Sequence, residues 1–137
     1  MQKINWKSLI PAIILAALAF TLIDGLIHYF VEALEVYYYP IPSFLQSIST
    51  WPLFWYAVAK FFATIVLSLI ILPFLLRRKW KFGVKVLAYA FIIIALLEIR
   101  YLISGYYGSE WHIYNTIMHF IVLFVSSWAI FKAFKIE

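Results

Sequence analysis

Four runs of this chain are each long enough to cross a bilayer as a helix: about Leu9 to Val31, Leu53 to Leu76, Val84 to Ser104, and Trp111 to Phe131. A hydrocarbon core of roughly 30 Å needs roughly 20 residues at about 1.5 Å each. The segments between the runs are too short for a soluble domain. The chain is 66% hydrophobic with a mean hydropathy of +0.97, more apolar surface than a water-soluble domain of 137 residues can hide. Residues 1–137 are therefore expected to form a single all-α membrane domain, a bundle of four antiparallel transmembrane helices. The first run, behind Lys3 and Lys7, imitates a signal peptide ending at Ala17-Leu18-Ala19, but its apolar character continues past Ala19. There is no cysteine, hence no disulfide framework and no thiolate metal site.

Charge placement sets the expected topology. Nine of the eleven basic residues, Lys3, Lys7, Arg77, Arg78, Lys79, Lys81, Lys85, Lys132 and Lys135, fall at one set of helix ends. The positive-inside rule then puts both termini and the second-to-third turn on the cytoplasmic side, a multi-pass N-in/C-in arrangement. The net charge of +5 is a topology signal, and no nucleic-acid partner is expected.

Each run carries polar residues that lipid will not accept. Asp24, His28, Glu32 and Glu35 fall within one sector roughly 80° wide on the first helix. Tyr56, Lys60, Thr64 and Ser68 recur every fourth residue on the second, Glu98 lies on the third, and His112, Asn115, Thr116, His119 and Ser126 share a face of the fourth. Counting inward from the helix ends places Asp24, Lys60, Glu98, Asn115 and His119 at one depth, roughly 5–10 Å below the outer boundary. Charges inside a membrane must face protein or trapped water, so the stripes are expected to converge on one outer-half cavity that opens outward. Asp24 and Glu32 are expected at its rim or wall, and Lys60 as a partner for Asp24, Glu98 or the outer acids. Arg100, pointing roughly 160° from Glu98, is expected outside it.

Several chemistries fit such a cavity. His28 and Glu32, one turn apart, form a candidate proton-donating pair, with Glu98 and His119 as candidates to stabilise a cation or accept the returning proton. Asp24, Trp55, Lys60, Tyr101, Trp111 and Asn115 are candidate ligand contacts, the aromatic faces suiting a cation. The same His and carboxylate set at His28, Glu98 and His119 is also the donor type for Zn or Fe, and two such histidines suit a b-type haem. No phosphate-binding glycine loop, nucleophile elbow or His-Glu-x-x-His is present, and the first expectation is no cofactor. An accessory subunit of a respiratory or oxygenase complex is a further class, its stripes serving packing or quinone contacts. The expected partners are a hydrophobic lipid-like molecule and membrane lipids, with a homodimer or a larger membrane complex left open.

The stretch Leu26-Ile27-His28-Tyr29-Phe30-Val31-Glu32-Ala33, followed by Tyr37-Tyr38, resembles the His-x-x-x-Glu helix of the emopamil-binding protein family, sterol Δ8-Δ7 isomerases of the EXPERA superfamily. The similarity continues through Leu67-Ser68-Leu69, the basic turn and Glu98-Ile99-Arg100-Tyr101, with His119 near the family's asparagine. It departs at Ala57 and Lys60, where the family has an acid, and at Val122, where it has tryptophan. The resemblance implies a lipid-sized cavity in which an acid protonates an alkene of a sterol- or isoprenoid-like lipid, while aromatic rings and carboxylates stabilise the carbocation. A second group then removes a different proton, a double-bond isomerisation without a cofactor.

Overall fold

The computed structural model describes the backbone of residues 4–38, 50–103 and 110–136, and the side chains of 4–27, 57–99 and 113–136. Four helices account for nearly all of it: α1 (Trp6–Tyr38), α2 (Thr50–Leu76), α3 (Phe82–Ile103) and α4 (Glu110–Ala133). There is no strand among the described residues. Each helix contains a stretch long and apolar enough to cross a membrane. The chain is thus a multi-pass membrane protein, as its composition predicts.

Local chemistry explains the helix ends. The Asn5 carbonyl accepts the backbone N–H groups of Ser8 and Leu9, and the Asn5 side chain bonds the Ser8 hydroxyl, so α1 starts at a polar cap. Pro11 sits in the second turn of α1 and cannot donate to the Lys7 carbonyl. The far end of α4 closes with the Ile136 N–H on the Phe131 carbonyl (2.8 Å) and the Lys135 N–H on the Lys132 carbonyl (3.1 Å). This is a Schellman closure, and it packs Ile136 into the core beside Phe131. Its left-handed position is Lys135, at φ 54°, where a side chain costs about 1–2 kcal/mol. Lys135→Gly is expected to stabilise the bundle by about 1 kcal/mol, read as a higher midpoint in denaturing-detergent titration.

The helices form a ring in which α1 packs on α2, α2 on α3, α3 on α4 and α4 on α1, with no close backbone approach across either diagonal among the described residues. The core runs through Leu9, Ala12, Ile13, Ala16 and Phe20 of α1, Leu72 and Leu75 of α2, Val86, Tyr89, Ala90 and Ile93 of α3, and Leu123 and Phe131 of α4. Alanines at Ala12, Ala16 and Ala90 let backbones approach closely, which matters where lipid supplies no hydrophobic drive between helices. The outward faces are apolar too, with Phe62, Ile70, Phe74 and Phe91 each more than half exposed. Such a surface suits hydrocarbon.

Polar residues turn inward in two layers. In the lower one the Ser68 hydroxyl meets the Tyr89 hydroxyl at 2.7 Å, and Ser127 faces the same phenol from α4. Ser68 also donates to the Thr64 carbonyl, and Thr64 to the Lys60 carbonyl, so the α2 stripe satisfies itself while bridging to α3. Tyr89, edge-on to Phe131 at 5.4 Å, ties α3 to α4 at this level. Leu76, eight residues beyond Ser68, meets Lys85, four residues before Tyr89. The upper layer is the candidate site.

Candidate functional site

One charged residue from each helix enters the upper layer: Asp24 from α1, Lys60 from α2, Glu98 from α3 and His119 from α4, all buried. Helical spacing puts them there. Asp24 follows the buried Phe20 by one turn, and Lys60 precedes Thr64 and Ser68 on the same face. Glu98 stands just over one turn beyond Ile94, and His119 shares a buried face with Val122 and Leu123.

The four side chains form one chain of contacts. The Lys60 ammonium pairs with Asp24 Oδ2. Asp24 Oδ1 lies 3.0 Å from His119 Nε2, and His119 Nδ1 lies 2.8 Å from Glu98 Oε1. Phe20 floors the group, its ring 4.4 Å from the Lys60 ammonium and edge-on to the imidazole. A cation over an aromatic face and two carboxylates around an imidazole offset charges that hydrocarbon would otherwise expel.

The imidazole is the informative member. Both ring nitrogens face carboxylate oxygens, yet a neutral ring carries only one N–H. Two arrangements satisfy every contact while Asp24 stays ionised beside the Lys60 ammonium: an imidazolium between two carboxylates, or a neutral imidazole donating to Asp24 with the proton carried by Glu98. Each has zero net charge, since Lys60 offsets one anion and the proton offsets the other. They interconvert by moving one proton across the 2.8 Å contact between Nδ1 and Oε1. Removing that proton altogether leaves a net charge of −1 inside the bundle.

A groove of about 380 Å³ reaches this chain from the side. Phe91, Ile94, Ala95 and Glu98 of α3 and Thr116, Ile117 and Phe120 of α4 line it. Phe91 and Ile117 are exposed on the outer face of the bundle, so the groove opens between α3 and α4 toward the bilayer. Glu98 belongs to both features. One of its oxygens holds His119, and the other has no hydrogen-bond partner among the described residues.

Asp24, Lys60, Glu98 and His119 come together as their common depth predicts, and Lys60 partners Asp24. Asn115, one turn from His119, is half-buried near the same level. Asp24 is the interior link between lysine and imidazole, 4% exposed. The groove opens sideways between α3 and α4, and the expected outward opening falls on side chains outside those described. His28, Glu32, Trp55, Tyr101 and Trp111, together with Arg100, lie outside the described side chains. Tyr89 and Ser127 escaped notice in the sequence: an isolated tyrosine in an aromatic-rich chain looks like an interfacial anchor, and only the helix rotation shows that it points inward.

Among the described residues no group of three His, Asp or Glu is arranged to hold a metal ion. Physically, both nitrogens of His119 are taken by carboxylates, and the Lys60 ammonium stands beside Asp24 where a cation would go. His119 in this arrangement has no nitrogen left for zinc, iron or haem. Compared with protein families, curated proteins and solved structures, the chain matches none.

Proposed function

We propose that this membrane bundle takes an apolar, lipid-like molecule sideways into the α3/α4 groove and exchanges a proton with it at Glu98. The observation that carries this reading is the double role of Glu98, whose carboxylate ends the Asp24–His119 chain and also lines the groove. Asp24, held by Lys60, orients the imidazole. His119 passes its Nδ1 proton to Glu98, and the neutral acid then faces the bound molecule. A volume near 380 Å³ is at the low end of ligand pockets, which run roughly 300–1,000 Å³. It suits the reactive end of a longer lipid whose remainder stays in the bilayer.

The chemistry that fits is a double-bond shift in a sterol- or isoprenoid-like alkene, in keeping with the EXPERA resemblance. Glu98 gives its proton to one alkene carbon, the adjacent carbon becomes cationic, and the Glu98 carboxylate or His119 removes a different proton. One C–H bond forms, another breaks, and the quartet regains its proton. An alkene is a very poor base, so the acid must be positioned and water excluded, with negative or π charge beside the cation. Glu98 and the rings of Phe91 and Phe120 supply those groups. The reading is tested by incubating the reconstituted protein in D₂O with a panel of isoprenoid and sterol alkenes. Deuterium should enter the product or the recovered alkene. Lipid retention with no deuterium in any of them would make the protein a lipid binder without chemistry.

Within the same reading the helices alternate in direction, with both termini and residues 77–81 cytoplasmic, as the nine basic residues imply. Cysteines introduced at Ser47 and Lys79 should react with impermeant reagents from opposite sides. Labelling of both from one side would overturn the topology.

A further inference from the structure

The turn joining α2 to α3 carries Arg77, Arg78, Lys79 and Lys81, all exposed, and just behind it stands a cation that is not. Lys85 is 7% exposed. Its ammonium donates to the Leu76 carbonyl, the last of α2, at 3.3 Å, and has no other partner among the described residues. An ammonium has three donors. One long bond to a carbonyl satisfies a single helix-end acceptor and leaves the charge unanswered. Burying a cation on those terms is costly unless an anion completes the site.

The chain supplies little to complete it. By sequence, Asp24, Glu32, Glu35, Glu98 and Glu110 belong to the opposite helix ends, and Glu137 is the one acid assigned to the end that carries nine basic residues. Other cations of this end lie along aromatic rings: Arg78 sits over Phe74 at 4.4 Å and Lys132 over Trp128 at 4.9 Å. Those two are settled without an anion. Lys85 is not, and Arg77 and Lys81 precede it on the turn that follows the Leu76 carbonyl it holds.

We propose that the α2/α3 turn is a phosphate-binding site, with Lys85 as the buried anchor and the exposed Arg77 and Lys81 as its outer donors. A phosphate group offers several acceptor oxygens to donors converging from different directions, which one carboxylate cannot match. It is also the anionic group that a bilayer presents at the depth where a transmembrane helix begins. Two sources share this chemistry, the headgroup of an anionic phospholipid and free phosphate, and the experiment separates them.

The protein is purified in a maltoside detergent and phosphate-free buffer, and its thermal midpoint is measured with phosphatidylglycerol or with inorganic phosphate. Phosphatidylglycerol is expected to raise the midpoint by several degrees. That gain should vanish in Lys85→Met and persist in Lys132→Gln, which removes an equal charge from the same end. If inorganic phosphate gives the same Lys85-dependent gain, the site takes the free anion; a gain from the lipid alone assigns it to the headgroup. Should Lys85→Met fail to fold, Arg77→Gln with Lys81→Gln decides, because it leaves the buried lysine and its carbonyl bond intact. That pair should lose at least half of the gain. No gain in the parent protein, or equal gains in the Lys85 and Lys132 variants, would overturn the proposal. A lysine that merely caps α2 predicts a lower midpoint in Lys85→Met with an undiminished response to the anion.

Discussion

Lys60→Met should cost the bundle about 3–5 kcal/mol, the range for removing one partner of a buried ion pair. Methionine nearly matches the shape of the lost side chain, so the penalty is electrostatic and not a cavity. Asp24 would keep His119, but the quartet would hold two carboxylates against one proton, with a charge of −1 in a buried site. Adding Asp24→Asn should return most of the loss, because the asparagine no longer needs the ammonium. Unfolding in mixed micelles by a denaturing detergent measures all four corners of the double-mutant cycle. A coupling below about 1 kcal/mol, the level of an exposed ion pair, would show that Lys60 and Asp24 do not depend on one another.

The second large effect separates capture from chemistry. Glu98→Gln keeps the groove's shape and removes the carboxylate that both lines the groove and contacts His119, the proton carrier of the proposed reaction. Deuterium incorporation should fall to background, while lipid retention changes by less than about tenfold, or about 1.4 kcal/mol. Ala95→Trp should do the reverse at its first step. Ala95 lines the groove and is exposed, so an indole there fills the space without entering the core. Retention of the lipid should drop by more than tenfold and turnover with it, leaving the fold unchanged. Undiminished retention in Ala95→Trp would place the bound molecule elsewhere.

The spans were plain in the amino-acid order because bilayer thickness sets helix length directly: α3 and α4 begin and end within about two residues of their apolar runs, while α2 starts at Thr50, ahead of Leu53, and α1 continues past Val31 to Tyr38. The meeting of Asp24, Lys60, Glu98 and His119 was legible for a related reason. Depth depends only on counting residues from the helix ends, and burying charge at one depth in four helices demands a common centre. Rotation about each helix axis is a different matter. It is settled by packing among neighbours, which decides that His119 stands between two carboxylates, that Asp24 is interior, and that Tyr89 faces Ser68. Lys85 shows the limit most clearly. In sequence it is one more member of a basic run; in the fold it points inward while Arg77, Arg78, Lys79 and Lys81 point out. The His28–Glu32 pair was the most conspicuous spacing in the chain, and its side chains fall outside those described.

A mouth framed by Phe91 and Ile117 on the bilayer face changes what affinity means for this protein. On the proposed reading the groove faces hydrocarbon and not water, so a bound molecule has to displace lipid chains. Binding is then an exchange of one chain for another, with no apolar surface removed from water and no hydrophobic gain to count. Selectivity has to come from shape and from whatever the newcomer does at Glu98. Occupancy will follow the mole fraction of the ligand in the membrane, so diluting it with inert lipid should empty the groove even when its amount per volume of suspension is unchanged.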